Sequence, residues 1–125
     1  MEYLLDTHIA LWWLSEPEKL AKKAIKVIED RENHLFVSCV SFWEMAIKQS
    51  IGRLTVPASV IETLNADSIE TLPLIAEDAL AIADLPMLHQ DPFDRMLVVQ
   101  AKRHNLTLVT HDKKLADYPV SILLA

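Results

Sequence analysis

The chain has 125 residues, 51% of them hydrophobic, with 12 lysines and arginines against 18 aspartates and glutamates, a formal charge of −6. That length suits one domain around one core, residues 1–125, and the negative balance argues against coating nucleic acid through bulk positive charge, though not against binding a polyanion locally. The single cysteine, Cys39, allows no internal disulfide, the single glycine, Gly52, excludes glycine-rich phosphate loops, and no apolar run approaches the roughly 20 residues of a membrane span.

The opening MEYLLDTH has neither a basic run nor a small-residue cleavage site, so it does not read as a signal peptide, and a cytoplasmic protein is expected. YLL at 3–5 reads as a strand. Over 17–31, Leu20, Ala24, Val27 and Ile28 form a helical apolar stripe with lysines opposite. LFVSCV at 35–40 reads as a second strand that buries Cys39. In 41–51, Phe42, Trp43, Ala46, Ile47 and Ile51 mark a helix, with Gly52 placed to cap its end. Segments 57–65 and 76–84 are predicted helical, and between them TLPLI at 71–75 suits an edge strand because of Pro73. The helix over 92–104 turns Phe93, Met96, Leu97 and Ala101 one way and ends in basic residues that suit its dipole. LTLVT at 106–110 and VSILL at 120–124 complete the strands. Strands alternating with helices predict an α/β fold with a mainly parallel sheet, whose ligands bind at the carboxyl ends of the strands.

Four acids stand at those junctions. Asp6 and Asp112 each follow a strand, Glu44 lies just inside the helix after the second strand, and Asp94 sits in the first turn of the helix opened by DPFDR. Helix starts attract acids for local reasons: Ser41-x-x-Glu44 has capping-box grammar, as does Asp91-Pro92-Phe93-Asp94, and Ser15-x-x-Glu18 repeats it away from any strand end. Taken singly, each acid reads as a cap. Four carboxylates converging on one crevice would repel one another unless some took up protons or bound cations. An all-oxygen set suits Mg2+ or Mn2+, and two such ions about 4 Å apart can drive phosphodiester cleavage. Both readings stand on the residues alone.

LLDTHIALWWL at 4–14, VSCVSFWEMAIK at 37–48 and HQDPFDRMLVVQAKRHNLTLVTHD at 89–112 together resemble a PIN-domain ribonuclease of the VapC type, over essentially the whole chain. The resemblance implies a five-stranded parallel sheet in the order 3-2-1-4-5 flanked by helices. It implies that Asp6, Glu44, Asp94 and Asp112 are the catalytic acids that bind Mg2+ or Mn2+, with Thr110 lining the site and Asp91 contributing through water beside its role as a cap. It further implies a metal-dependent endoribonuclease toxin, a homodimer, blocked by a cognate antitoxin that can place an arginine near the acids. Arg95 is expected either on a substrate phosphate or in an ion pair with Asp91 or a neighbouring acid, and Gln90 replaces a residue that is often basic in relatives. His8 is expected to pack locally, His89 to steady the loop before Asp91, and His104 and His111 to lie on the surface, none of them at zinc spacing. Of Trp12, Trp13 and Trp43, one or two belong in the core, and an exposed one would mark a protein interface. Of the competing enzymes, an aspartyl-phosphate phosphatase would want a second acid where His8 stands, and a receiver would want adjacent acids early in the chain and a lysine after a late strand, neither of which is evident. The alternative from another class is a catalytically silent PIN-fold interaction module whose acids are only caps.

Overall fold

The short apolar runs pair side by side and the amphipathic runs cover them on both faces, in a computed structural model that describes residues 1–125. The strands are β1 (Glu2–Leu5), β2 (His34–Ser38), β3 (Ile69–Leu72), β4 (Thr107–Thr110) and β5 (Ile122–Leu124). They form one parallel sheet in the order β3-β2-β1-β4-β5. The helices are α1 (Thr7–Ser15), α2 (Lys22–Glu29), α3 (Cys39–Ser50), α4 (Val60–Ala66), α5 (Ala76–Ala81) and α6 (Pro92–Arg103). The expected architecture and strand order are therefore those observed.

Successive strand residues point to opposite faces. Leu5, Val37 and Val109 pack with Ile9, Ala24, Ile28 and Met45 in one buried cluster, while Leu4 and Leu108 pack with Leu97, Val98 and Ala101 of α6 in the other. A sheet buried on both faces needs continuous apolar strands rather than alternating ones, and the central strands β1 and β4 are mostly of that kind. Each fully buried leucine stabilises the fold by roughly 2 kcal/mol. The sequence leaves β1 in two directions, to β2 and to β4, so the switch in strand order lies at the carboxyl ends of these central strands.

Local boundaries differ from expectation in several places. Ser38 ends β2 and caps α3, its hydroxyl accepting from the Val40 N–H at 3.0 Å, so the helix begins at Cys39. Cys39 is accordingly exposed on a helix rather than buried in a strand. Ser41 and Glu44 then fall inside the helix, and the capping box expected of them is not formed. Pro17 starts a single 3-10 turn over Pro17–Lys19, and the helix expected over 17–31 is confined to α2. Strand β3 stops at Leu72, at the sheet edge, so Pro73 lies just outside it and no ladder hydrogen bond is lost. Gly52, with φ of 74°, does turn the chain after α3.

Candidate metal centre

At the carboxyl ends of β1 and β4 lies a cavity of about 270 Å³ with no hydrophobic lining residue. Asp6, Glu44, Asp94 and Asp112 all border it, and so does Asp91. The four acids expected to converge are thus brought to one place, and each is aimed by its own local structure. A larger depression at the opposite sheet edge, beside Asn33 and Ser68, gathers no comparable set of acids.

Asp6 is both cap and wall. Its Oδ1 accepts from the Ile9 N–H at 3.0 Å to start α1, and its Oδ2 accepts from the Thr110 hydroxyl. Thr110 is wholly buried behind the cavity rather than lining it, and its oxygen also accepts from the Asp112 N–H at 3.1 Å. One threonine therefore ties two acids on adjacent chain segments. Glu44 is held by Thr7, whose Oγ1 lies 2.6 Å from Glu44 Oε1 and 2.9 Å from Ser41 Oγ. A hydroxyl has one proton, so Thr7 donates to the carboxylate and accepts from Ser41. One helical turn on from Glu44, Lys48 Nζ sits 2.5 Å from Glu44 Oε2.

The third wall is the start of α6. Asp91 Oδ1 accepts from the Phe93 and Asp94 N–H groups at 2.8 and 3.1 Å, and Pro92 supplies a first residue that needs no partner. That start presents Asp94 to the cavity. His89 leans across to it: Nε2 is 3.0 Å from Asp112 Oδ2 and 3.7 Å from Asp94 Oδ2. Its Nδ1 accepts from the Asp91 N–H at 3.1 Å, so a neutral His89 carries its proton on Nε2 and donates it to Asp112. The buried Tyr118 hydroxyl in turn accepts from the N–H groups of Leu88 and His89, fixing that loop.

The electrostatics follow from the crowding. Burial, then the charges of Asp91, Asp6 and Glu44, push the Asp94 carboxyl up to about 7. Burial likewise raises Asp6, despite hydrogen bonds from Thr110 and Ile9 that favour its charge. Burial works against the charge of Lys48, but the hydrogen bond and charge of Glu44 outweigh it and hold the ammonium on. At Asp112 burial is outweighed by the His89 hydrogen bond, which holds the carboxyl below its ordinary range. Five acids share the cavity with two lysines, Lys48 and Lys114, and so carry surplus negative charge. His89, Asp94 and Asp112 offer ligand atoms that all lie within 4.8 Å of one another. Asp6 and Glu44 stand on the same cavity outside that tight trio. An oxygen-rich set with uncompensated charge fits a hard divalent cation.

Several expected roles shift. Arg95 reaches neither the acids nor the cavity; its Nη2 donates to Leu85 O at 3.2 Å, because the α6 register turns it away from Asp94. His104 is not a free surface group but reaches Asp78, 3.0 Å away. His111 is exposed, yet its ring packs on Trp12 and its Nδ1 comes within 4.0 Å of Asp6 Oδ2. His8 packs against both rings, as expected. Trp43 is 59% exposed, edge-on to Phe93, while Trp12 and Trp13 are half-buried against the core. Sequence reasoning overlooked Thr7 and Lys48. The i, i+4 spacing of Glu44 and Lys48 was the available signal for the second; nothing local marked Thr7, whose partner lies 37 positions away.

A family model described as the PIN domain matches residues 3–120. The chain is similar to Ribonuclease VapC22 of Mycobacterium tuberculosis, 31% identical over 118 residues covering 92% of this chain and 90% of that one. Among solved structures it resembles VapBC2 from Rickettsia felis bound to a promoter DNA fragment, with a TM-score of 0.74 at 16% identity, covering 99% of this chain and 98% of that one. It also resembles a toxin–antitoxin complex from Klebsiella pneumoniae, with a TM-score of 0.61 at 17% identity, covering 97% and 95%. At such identities the structural likeness bears on the fold.

Proposed function

This chain belongs to the PIN-domain family, in its VapC branch, and from that membership we propose that it is a single-domain toxin that cleaves RNA with the help of a divalent metal ion. The RNA substrate is carried over from the ribonuclease relative, and a protein antitoxin as partner from the Klebsiella complex. The reading places the protein in the cytoplasm, and no helix is long and apolar enough to cross a membrane. The observation that carries it is the convergence of Asp6, Glu44, Asp94 and Asp112 on one cavity without apolar lining, crowded enough to push Asp94 up to about 7.

Asp6, Glu44, Asp94 and Asp112 are the residues that would hold Mg2+ or Mn2+, and the chemistry such an ion supplies is activation of water and stabilisation of charge at the phosphate. The chain's own groups prepare the set. Thr110 and the Ile9 N–H fix Asp6, Thr7 fixes Glu44, and His89 fixes Asp112. Asp94 has no hydrogen bond to its carboxylate within the protein and is the acid left freest to respond to a ligand. Asp91 acts first as the cap that aims Asp94. Water is the attacking group, and no covalent bond to the protein forms. Trp43 and Ile47 on α3 and Ile51 at its C-cap are exposed at helical spacing, which favours a protein contact on that face, the homodimer's. A silent interaction module has no use for four acids gathered on one cavity, and that convergence counts against it.

The test is cleavage of single-stranded RNA by the purified chain with Mn2+, with and without chelator. Metal-dependent cleavage that disappears in Asp94→Asn is the expected result; cleavage at an unchanged rate in that variant would show the site to be misassigned.

A further inference from the structure

Among the acids of the cavity, Glu44 alone is paired with a lysine. The pairing is built into α3: four residues of helix bring Lys48 Nζ to 2.5 Å from Glu44 Oε2, while Thr7 occupies Oε1. Glu44 is almost wholly buried, whereas the Lys48 side chain is 27% exposed at the cavity wall, 6.0 Å from the Phe93 ring centre. The ammonium therefore stands on the solvent side of the one Glu44 oxygen that Thr7 leaves open. A divalent cation and the ammonium repel each other when both are brought to contact distance of that oxygen. Glu44 can serve a metal ion only if Lys48 lets go, and its flexible four-carbon stem allows that movement without disturbing the helix.

Resting on the metal-dependent reading above, we propose that Lys48 is the resident counter-ion of Glu44, which exchanges with the divalent cation and whose released ammonium then binds a phosphate oxygen of the RNA strand. Lys48 would then do two jobs in sequence. Before loading it holds a buried carboxylate in place. After loading it stands beside the acids as a positive point charge, the kind of group that takes a phosphate.

Lys48→Met keeps most of the stem and removes the charge. Mn2+ binding without RNA, followed by calorimetry on the full chain, should be tighter in this variant by roughly two- to fivefold, as expected from removing a competing ion pair. Lys48→Arg should bind Mn2+ with an affinity near that of the parent. At saturating Mn2+, Lys48→Met should raise KM for single-stranded RNA, and the slope of log KM against log salt should fall by about 0.7, the loss of one phosphate contact. Lys48→Gln serves the same measurements if the Met variant does not fold. Unchanged or weaker Mn2+ binding by the neutral variants, with the parent binding normally, overturns this exchange and leaves the nuclease reading standing. No Mn2+ binding by the parent chain removes both.

Discussion

Acids stand near both ends of α6, and they are in opposite states. At its C-terminal end Asp78, wholly buried on α5, is enclosed by partners: Arg103, His104 at 3.0 Å, Gln100 at 3.3 Å and the Ile75 N–H at 3.4 Å. Gln100 passes the network on, accepting from Ser38 Oγ at 2.5 Å and donating to Pro73 O at 3.2 Å. Burial opposes the Asp78 charge, but the hydrogen bonds of Arg103, Gln100 and His104 outweigh it and hold the carboxyl below its ordinary range. At the N-terminal end Asp94 faces other acids with little compensation, and its carboxyl is pushed up to about 7. The same residue type on the same scaffold is a brace in one place and a charge in need of a partner in the other. What separates them is pairing: a satisfied buried acid holds elements together, and an unsatisfied one marks where a ligand is wanted.

The largest effect is expected at the unsatisfied end. Asp94→Asn should lower metal-dependent RNA cleavage by at least about a hundredfold, the scale of losing one charge-stabilising group, read from initial rates. At the paired end Asp78→Ala should leave such cleavage chemistry intact in folded protein but cost about 3 kcal/mol of stability in urea unfolding, since Arg103 and Gln100 lose their common acceptor. The pH dependences should have opposite signs. Asp94 has a raised folded-state pKa, so its contribution is present below the ordinary carboxyl value of about 4 and lost as pH rises through about 7. In chelator, Asp94→Asn should thus be more stable than the parent at pH 8, on the order of 2 kcal/mol, with the gap closing by pH 4. Asp78 has a lowered value, so its contribution is present above the ordinary range and lost as pH falls through its folded-state value. The smallest effect belongs to Ser38→Ala, which removes the α3 cap and the Gln100 contact and should cost about 1 kcal/mol.

Much of the site was legible because it lies in local grammar. Asp91 as cap follows from Asp-Pro at a helix start, and the structure shows both of its expected hydrogen bonds. That Asp6 and Asp112 leave one sheet edge follows from two parallel strands ending there. The Asp78 network was not legible at all. Asp78 lies in an exposed-looking AEDALA segment, and its side-chain partners are 22 to 26 residues away. His104 was read as a surface group for the same reason. Ser41 and Glu44 have the spacing of a capping box, but Ser38, three residues earlier, captures the helix start.

By itself the sequence determined the element types, the strand order through its family likeness, and the identity of the four acids that the fold would gather. Periodicity, Pro92, the single glycine and strand-end acids are properties of neighbours in the chain, and neighbours are what a sequence records. Tertiary structure decided which side chains meet: Thr7 with Glu44, Thr110 with Asp6, His89 with Asp112, and Arg103 with Asp78. It also decided the charge states, because a carboxyl's pKa depends on burial and on charges brought close by folding, and neither exists until the sheet and α6 have packed.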